Sequence, residues 1–201
     1  MSTLQNFGVP TGAGQGRGGI LQPKTKSKFR VIVTNFGIPN SSIALTQQVE
    51  AVNRPTITQE PVEVNSYMSR AYFGGKPQFS TITLSVRDDV TNSVSSLVGA
   101  QIQKQMNHFL QTTPLAGANY KFQMLIDTLD GGGTSQADAA ILEEWTLEGC
   151  FISEVNYEQF DYKSSDTMMI EMTIRFDNAT QGGGLMPLNP ILSNAGDGFL
   201  G

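Results

Sequence analysis

His108 and Cys150 are the only histidine and the only cysteine in the chain, and together they raise the question of a nucleophilic pair. The local pattern argues against one. Cys150 sits inside an alternating stretch, where a small packed apolar residue is the expected role. His108 lies on a helical pattern between Asn107 and an apolar Phe109. One histidine cannot share a metal with another, and one cysteine cannot close an internal disulfide. Glu143 and Glu144 are adjacent on a strand pattern. They point to opposite faces and cannot act together on one substrate. Asp127, Asp130 and Asp138 flank a glycine run, but their spacing is not that of a calcium loop, which needs acids at alternate positions and a late glutamate. A solvated loop is the expectation. Gly14-Gln15-Gly16-Arg17-Gly18-Gly19 matches G-x-G-x-x-G in letters only. Pro10 and Thr11 precede it and Pro23 follows, so the strand and helix that a dinucleotide site requires are missing. Arg17-Gly18-Gly19 is a single copy of an RNA-binding tripeptide, a weak signal. No catalytic set survives, and the expectation is a non-enzyme with no cofactor and no metal.

A chain of 201 residues can bury one sizeable core. Apolar residues make up 39% and charged residues 15%, which fits a lightly charged globular protein. No stretch approaches the roughly 18 apolar residues of a membrane helix. No basic-then-apolar leader opens the chain, so a soluble protein made in the cytoplasm is expected. Charge is uneven. Residues 1–126 hold 11 Lys/Arg against 5 Asp/Glu, a balance of +6; residues 127–201 hold 2 against 13, a balance of -11. Such polarity suits head-to-tail contact between copies or an acidic surface. Specific nucleic-acid binding is disfavoured, since it calls for a basic stripe.

The positioning elements are mostly strands. Trp145, Leu147, Phe151, Val155 and Tyr157 fall on odd positions; Met168, Ile170, Met172, Ile174 and Phe176 fall on even ones. Period two predicts two long strands with a polar turn at 161–166 between them. Strands are also expected at 28–33, 43–53, 79–88 and 120–127, with 57–68 an edge strand or loop arm because of Pro61. Gly74-Gly75 reads as a turn. Val94, Leu97, Val98, Gln101, Ile102, Met106, Phe109 and Leu110 recur at three and four, which predicts one amphipathic helix over 91–111, capped by Asp88 or Thr91. The fold class is therefore mainly β, a β-sandwich or barrel subunit with one helix packed on it. Residues 1–27 and 179–201 read as extended arms around a β domain at 28–178.

The order of these elements and several strings resemble the tail tube proteins of contractile-tailed bacteriophages of the myovirus type. The strings are Lys28 to Val33, Ser66 to Gly75, Phe79 to Asp89 leading into the helix, Leu147-Glu148-Gly149, and Ile170 to Ile174. The resemblance implies a subunit of a hexameric ring whose strands close into one barrel around a channel. Rings stack into a tube, the sheath contracts around it, and genome DNA passes through without specific binding. It implies the tail sheath, a baseplate or tube initiator and a tail terminator as partners, and no membrane binding by the subunit itself. The place is the virion tail, assembled in the host cytoplasm. An acidic wall would keep phosphate from sticking, and on that ground Gln47, Gln48, Glu50, Glu148, Glu154, Glu171 and Thr173 are candidate lumen residues. The loop over 53–75 is implied in ring stacking, with Pro55, Pro61, Asn65, Tyr67, Arg70 and Tyr72 as candidates. The arms are expected to drape over neighbouring subunits.

Two other structural readings share the fold: a paralogue at the tube's end, and the tube of a phage-like injection or secretion apparatus. A ligand-binding β-sandwich is a different class. It would group aromatic residues in loops, whereas here they sit mainly in strand patterns.

Overall fold

The computed structural model describes residues 23–38, 42–130, 139–163 and 165–182. Most of both expected arms, the Gly14–Gly19 string and Asp138 lie outside the described residues. The elements are β1 (Phe29–Thr34), α1 (Ser42–Gln48), β2 (Val49–Val52), β3 (Ile57–Ser66), β4 (Ser69–Phe79), β5 (Ile82–Arg87), α2 (Ser93–Gln105), β6 (Phe122–Leu129), β7 (Ile141–Tyr157), β8 (Met169–Arg175) and β9 (Asn178–Gly182). The chain is mainly β, with α2 its principal helix.

Seven strands form one antiparallel sheet in the order β1-β6-β7-β8-β5-β2, with β9 paired to β7. Residues 178–182, most of them in the expected C-terminal arm, are thus a sheet strand with Ala179 in the core. The first half of β7 pairs with β6 and β9, and its second half pairs with β8. This long strand carries the chain from one half of the sheet to the other. Both halves face a single core, in which Val31, Phe122, Met124, Leu147, Leu84 and Met172 are buried in one cluster with α2 residues Val94, Leu97 and Val98. The alternation in β5 and β8 is clean, with Ile82, Leu84, Val86, Ile170, Met172 and Ile174 all buried.

β7 departs from strict alternation. Phe122 and Met124 of β6 face Cys150 and Leu147, so β7 carries an extra residue there. Gly149 supplies it, with φ 68, a left-handed backbone that glycine adopts without steric cost. A second bulge lies between Ile152 and Glu154. Inward residues therefore run Leu147, Cys150, Ile152 and then Val155, and the expected apolar face through Phe151 and Tyr157 is replaced.

Four further expectations are corrected. The stretch 43–53 is not one strand: Ala44, Leu45, Gln47 and Gln48 are helix formers and lie in α1, and β2 begins at the β-branched Val49. α2 ends at Gln105, because Asn107 turns the chain. Its Oδ1 accepts the backbone N–H groups of Phe109 at 3.1 Å and Leu110 at 3.0 Å, an alternative to helical bonds. Met106, Phe109 and Leu110 are consequently exposed, Phe109 at 93%. The helix start is held by Asp89, which accepts the N–H of Ser93 at 2.9 Å and its hydroxyl. Finally, Gly74-Gly75 lies inside β4, not in a turn. The turn is at Tyr67-Met68, with Tyr67 at φ 48.

Candidate assembly surfaces

β3 and β4 form a two-stranded sheet apart from the main one. Pro61 lacks an N–H and lies at a bulge opposite Gly74. A Cβ on Gly75 would run into the carbonyl oxygen of Glu60, so the glycine allows the strands to close there. Cross-strand partners share a face. Val62 faces Phe73 and Val64 faces Ala71, giving one apolar face; Glu63 faces Tyr72 and Asn65 faces Arg70, giving a polar one. Glu63 and Arg70 approach to 3.5 Å across the polar face. Ile57, Val62, Val64, Tyr67, Met68, Tyr72 and Phe73 are all exposed, Phe73 at 59%. A lone hairpin is marginal in water, and a grouped apolar surface of this kind marks an interaction site.

Among the stacking candidates, Asn65, Arg70, Tyr72 and Pro61 lie on the polar side of this hairpin, Tyr67 at its tip and Pro55 in the lead-in before β3. The apolar face of Val62, Val64, Ala71 and Phe73 was not singled out from sequence. Its signal was there: Val62 and Val64 alternate with Glu63 and Asn65, and Ala71 and Phe73 with Arg70 and Tyr72.

The outer face of β7, β8 and β5 is polar. Glu154, Thr173 and Thr83 form one cross-strand row; Asn156, Glu171 and Ser85 form the next, extended by Ala51 of β2. Glu50 sits at a bulge in β2, and its carboxylate accepts from Arg87 Nε at 2.9 Å. The structure thus brings together Glu154, Glu171 and Thr173, with Glu50 alongside and neutralised by Arg87. Gln47 and Gln48 end α1, which packs against β1, β5 and α2 instead of this face. Glu148 lies in the other half of β7, opposite Asn178 of β9.

The chemistry-bearing residues are placed in structural roles. Burial pushes the Cys150 thiol up to about 12, and the side chain is fully enclosed. His108 lies in the surface segment after α2. Asp127, the end of the expected strand over 120–127, lies in β6; it is not a solvated acid but has 1% exposure and is gripped by Arg30 through Nε at 3.0 Å and Nη2 at 2.7 Å. Glu143 is buried at the end of the core face of β7 and accepts hydrogen bonds from Lys24, Trp145 and Gln181, with the Arg54 guanidinium 3.6 Å away as an ion-pair partner. The hydrogen bond from Lys24, then those from Trp145 and the nearby charges of Lys24 and Arg54, hold its carboxyl below the usual glutamate range against the opposing effect of burial. Among the described residues no three His, Cys, Asp or Glu side chains are grouped to hold a metal.

No protein-family model matches the sequence, and no curated protein matches it. Solved structures do match the fold. A chain of the anti-feeding prophage cap, the tube-terminating cap, is 16% identical with TM-score 0.59, over 83% of this chain and 95% of that one. A chain of the sheath/tube terminator of an extracellular contractile injection system, PVC, is 18% identical with TM-score 0.60, over 82% and 99%. A chain of the sheath–tube complex of the same system is 17% identical with TM-score 0.55, over 80% and 92%. The mainly antiparallel fold described above, with its single principal helix, is therefore the fold seen among the tube and tube-terminator structures of contractile injection particles.

Proposed function

We propose that this chain is a structural subunit of the tube of a contractile phage-type particle. Copies assemble into hexameric rings, and the rings stack. The observation that carries this reading is the β3–β4 hairpin, which holds its apolar Val62, Val64, Ala71 and Phe73 face away from its own core, on a fold shared with tube proteins. That face is suited to a second copy in the adjacent ring. Tyr67, Arg70 and Tyr72, with Asn65, Pro61 and Pro55, frame the contact as the hairpin's tip, polar side and lead-in. The outer face of β7, β8 and β5 lines the channel, with Glu154, Glu171 and Thr173 as wall residues and Glu50 beside them. A weakly acidic wall repels phosphate, so genome DNA can pass without a salt-dependent brake. Gln47, Gln48 and Glu148 are assigned elsewhere in the ring, because they do not share that face. The sheath, a baseplate initiator and a tail terminator are the partners, and the particle is the virion tail, assembled in the host cytoplasm. The subunit itself performs no turnover.

The second reading is the terminator at the tube's end, favoured by the likeness to cap and terminator chains. Electron microscopy of the purified full chain separates the two. A tube subunit polymerises to unlimited length at high concentration or on an added initiator. A terminator stops at single rings and shortens tubes made by another subunit.

A further inference from the structure

β1 and β2 end the path of the seven-stranded sheet, from which β9 branches off at β7, and they are not hydrogen-bonded to each other. They nevertheless approach across a cleft of about 440 Å3, lined by Lys24, Lys28 and Phe29 on the β1 side and by Ala51, Val52 and Arg54 on the β2 side. This is a seam between the two ends of the strand path. Lys24 leads into β1, and Arg54 leaves β2 towards the β3–β4 hairpin. Both reach the same carboxylate. Glu143 accepts from Lys24 Nζ at 2.8 Å and lies 3.6 Å from Arg54 Nη1. Lys24 meets Oε2; Oε1, the oxygen nearest Arg54, accepts from Trp145 Nε1 at 2.7 Å and from Gln181 Nε2 of β9 at 3.0 Å.

We infer that Glu143 is a latch that closes this seam and fixes the direction in which the hairpin leaves the body. The reason is geometric. The hairpin root is otherwise held to the body by the Asn53 N–H to Thr83 O bond at 3.1 Å and by Phe79, whose ring packs on Phe176 on the β4 side; Ser80 N–H to Thr56 O, also 3.1 Å, closes the two legs on each other. Arg54 adds a tie on the β3 side, and the same carboxylate ties the lead-in to β1 through Lys24 and β9 through Gln181. Trp145 and Gln181 hold Oε1, the oxygen beside Arg54, and so aim Oε2 at Lys24 without reorganising. Glu143 is a positioning residue in this scheme: it touches no partner copy but sets where the stacking face points. That functional meaning rests on the tube reading above; the latch itself does not.

The test is hydrogen exchange on the full-length subunit, comparing wild type with Glu143→Gln and with Lys24→Gln/Arg54→Gln. The second variant changes only half-exposed side chains and leaves the buried oxygen acceptor in place. Both are expected to speed exchange at Asn53 and Ser80 by about two- to fivefold, the loss expected for ion pairs with half-exposed cations, and Glu143→Gln also at the β9 amides beside Gln181. Amides of β5 and β8 should not change. Unchanged exchange at the hairpin root in the double variant overturns the latch, as does a uniform rise across every strand. If the root loosens as expected while wild-type protein never forms rings or tubes, the latch stands and the tube reading fails.

Discussion

Gln105 pairs with Ile152 as a neighbouring strand would. Its Nε2 donates to the carbonyl of Ile152 and its Oε1 accepts the N–H of the same residue, both at 2.9 Å. β6 last pairs with β7 at Cys150, so the side chain at the end of α2 takes over where the ladder stops. One turn earlier Gln101 does similar work, donating to Tyr120 O at 2.7 Å and accepting from Gly37 N at 2.9 Å. Two glutamines four apart on one helix face thus fasten α2 to the sheet and to the chain on either side of it.

Removing the first of these, Gln105→Ala, leaves two buried backbone groups of Ile152 without partners. A loss of about 1–3 kcal/mol in stability is expected in urea unfolding. A loss under a few tenths would mean that water replaces the amide at no cost.

Gly149→Ala tests the bulge that rephases β7. Its backbone is left-handed, and a Cβ there would collide with the Asp177 carboxylate that pairs with Lys121. The expected cost is about 1–2 kcal/mol from backbone strain alone. An unchanged midpoint would show that β7 can run without the glycine.

The core and the hairpin should separate stability from assembly. Met172→Ala, in the fully buried centre of β8, is expected to cost about 2–5 kcal/mol. Val64→Ser/Phe73→Ser, on the exposed hairpin face, should move stability by roughly 0.5 kcal/mol or less and abolish ring stacking. Sedimentation of assembled tubes against thermal unfolding of the free subunit gives both readouts.

Acid should open the Glu143 latch only late. Its folded carboxyl lies below the ordinary glutamate value of 4.5, so the folded state binds fewer protons there than the unfolded state. The contribution is complete above that value and is lost as pH falls through the folded one. Protection at the hairpin root, exchange taken relative to its intrinsic rate at each pH, should therefore hold level from about pH 5 to 8 and fall below 4.5. Loosening near neutral pH would contradict it.

Cys150 gives a probe of global unfolding. Its thiol is enclosed and held at about 12, so labelling by a thiol reagent near neutral pH should follow the unfolding rate. Fast labelling of the folded subunit would contradict the buried placement.

Where one face of a strand is buried throughout, as in β5 and β8, the residue pattern alone was sufficient, because period two is the direct imprint of a half-buried sheet. It failed where tertiary structure interrupts a period. Gly149 and Ser153 each insert a residue into β7, and nothing local announces which side the partner strand lies on. The helix over-ran to 111 because Phe109 and Leu110 kept the spacing, while the Asn107 side chain that ends it acts through hydrogen bonds. α1 was read as a strand because seven residues of mixed polarity carry too little periodicity. The hairpin face escaped notice for another reason: Val62 and Val64 look like any strand's inward side, and sequence does not say which apolar face is left uncovered. The Glu143 latch is a contact among segments at 24, 54, 143 and 181, invisible at any local spacing.

The most direct measurement is electron microscopy of full-length protein at high concentration, with and without an initiator, carried to a resolution that shows side chains. Hexameric rings stacked into tubes, with Glu154, Glu171 and Thr173 on the channel wall and the Val62–Phe73 face against the next ring, are the predicted result. A protein that stays monomeric under both conditions, or rings whose β7–β8–β5 outer face is turned away from the channel, would contradict it.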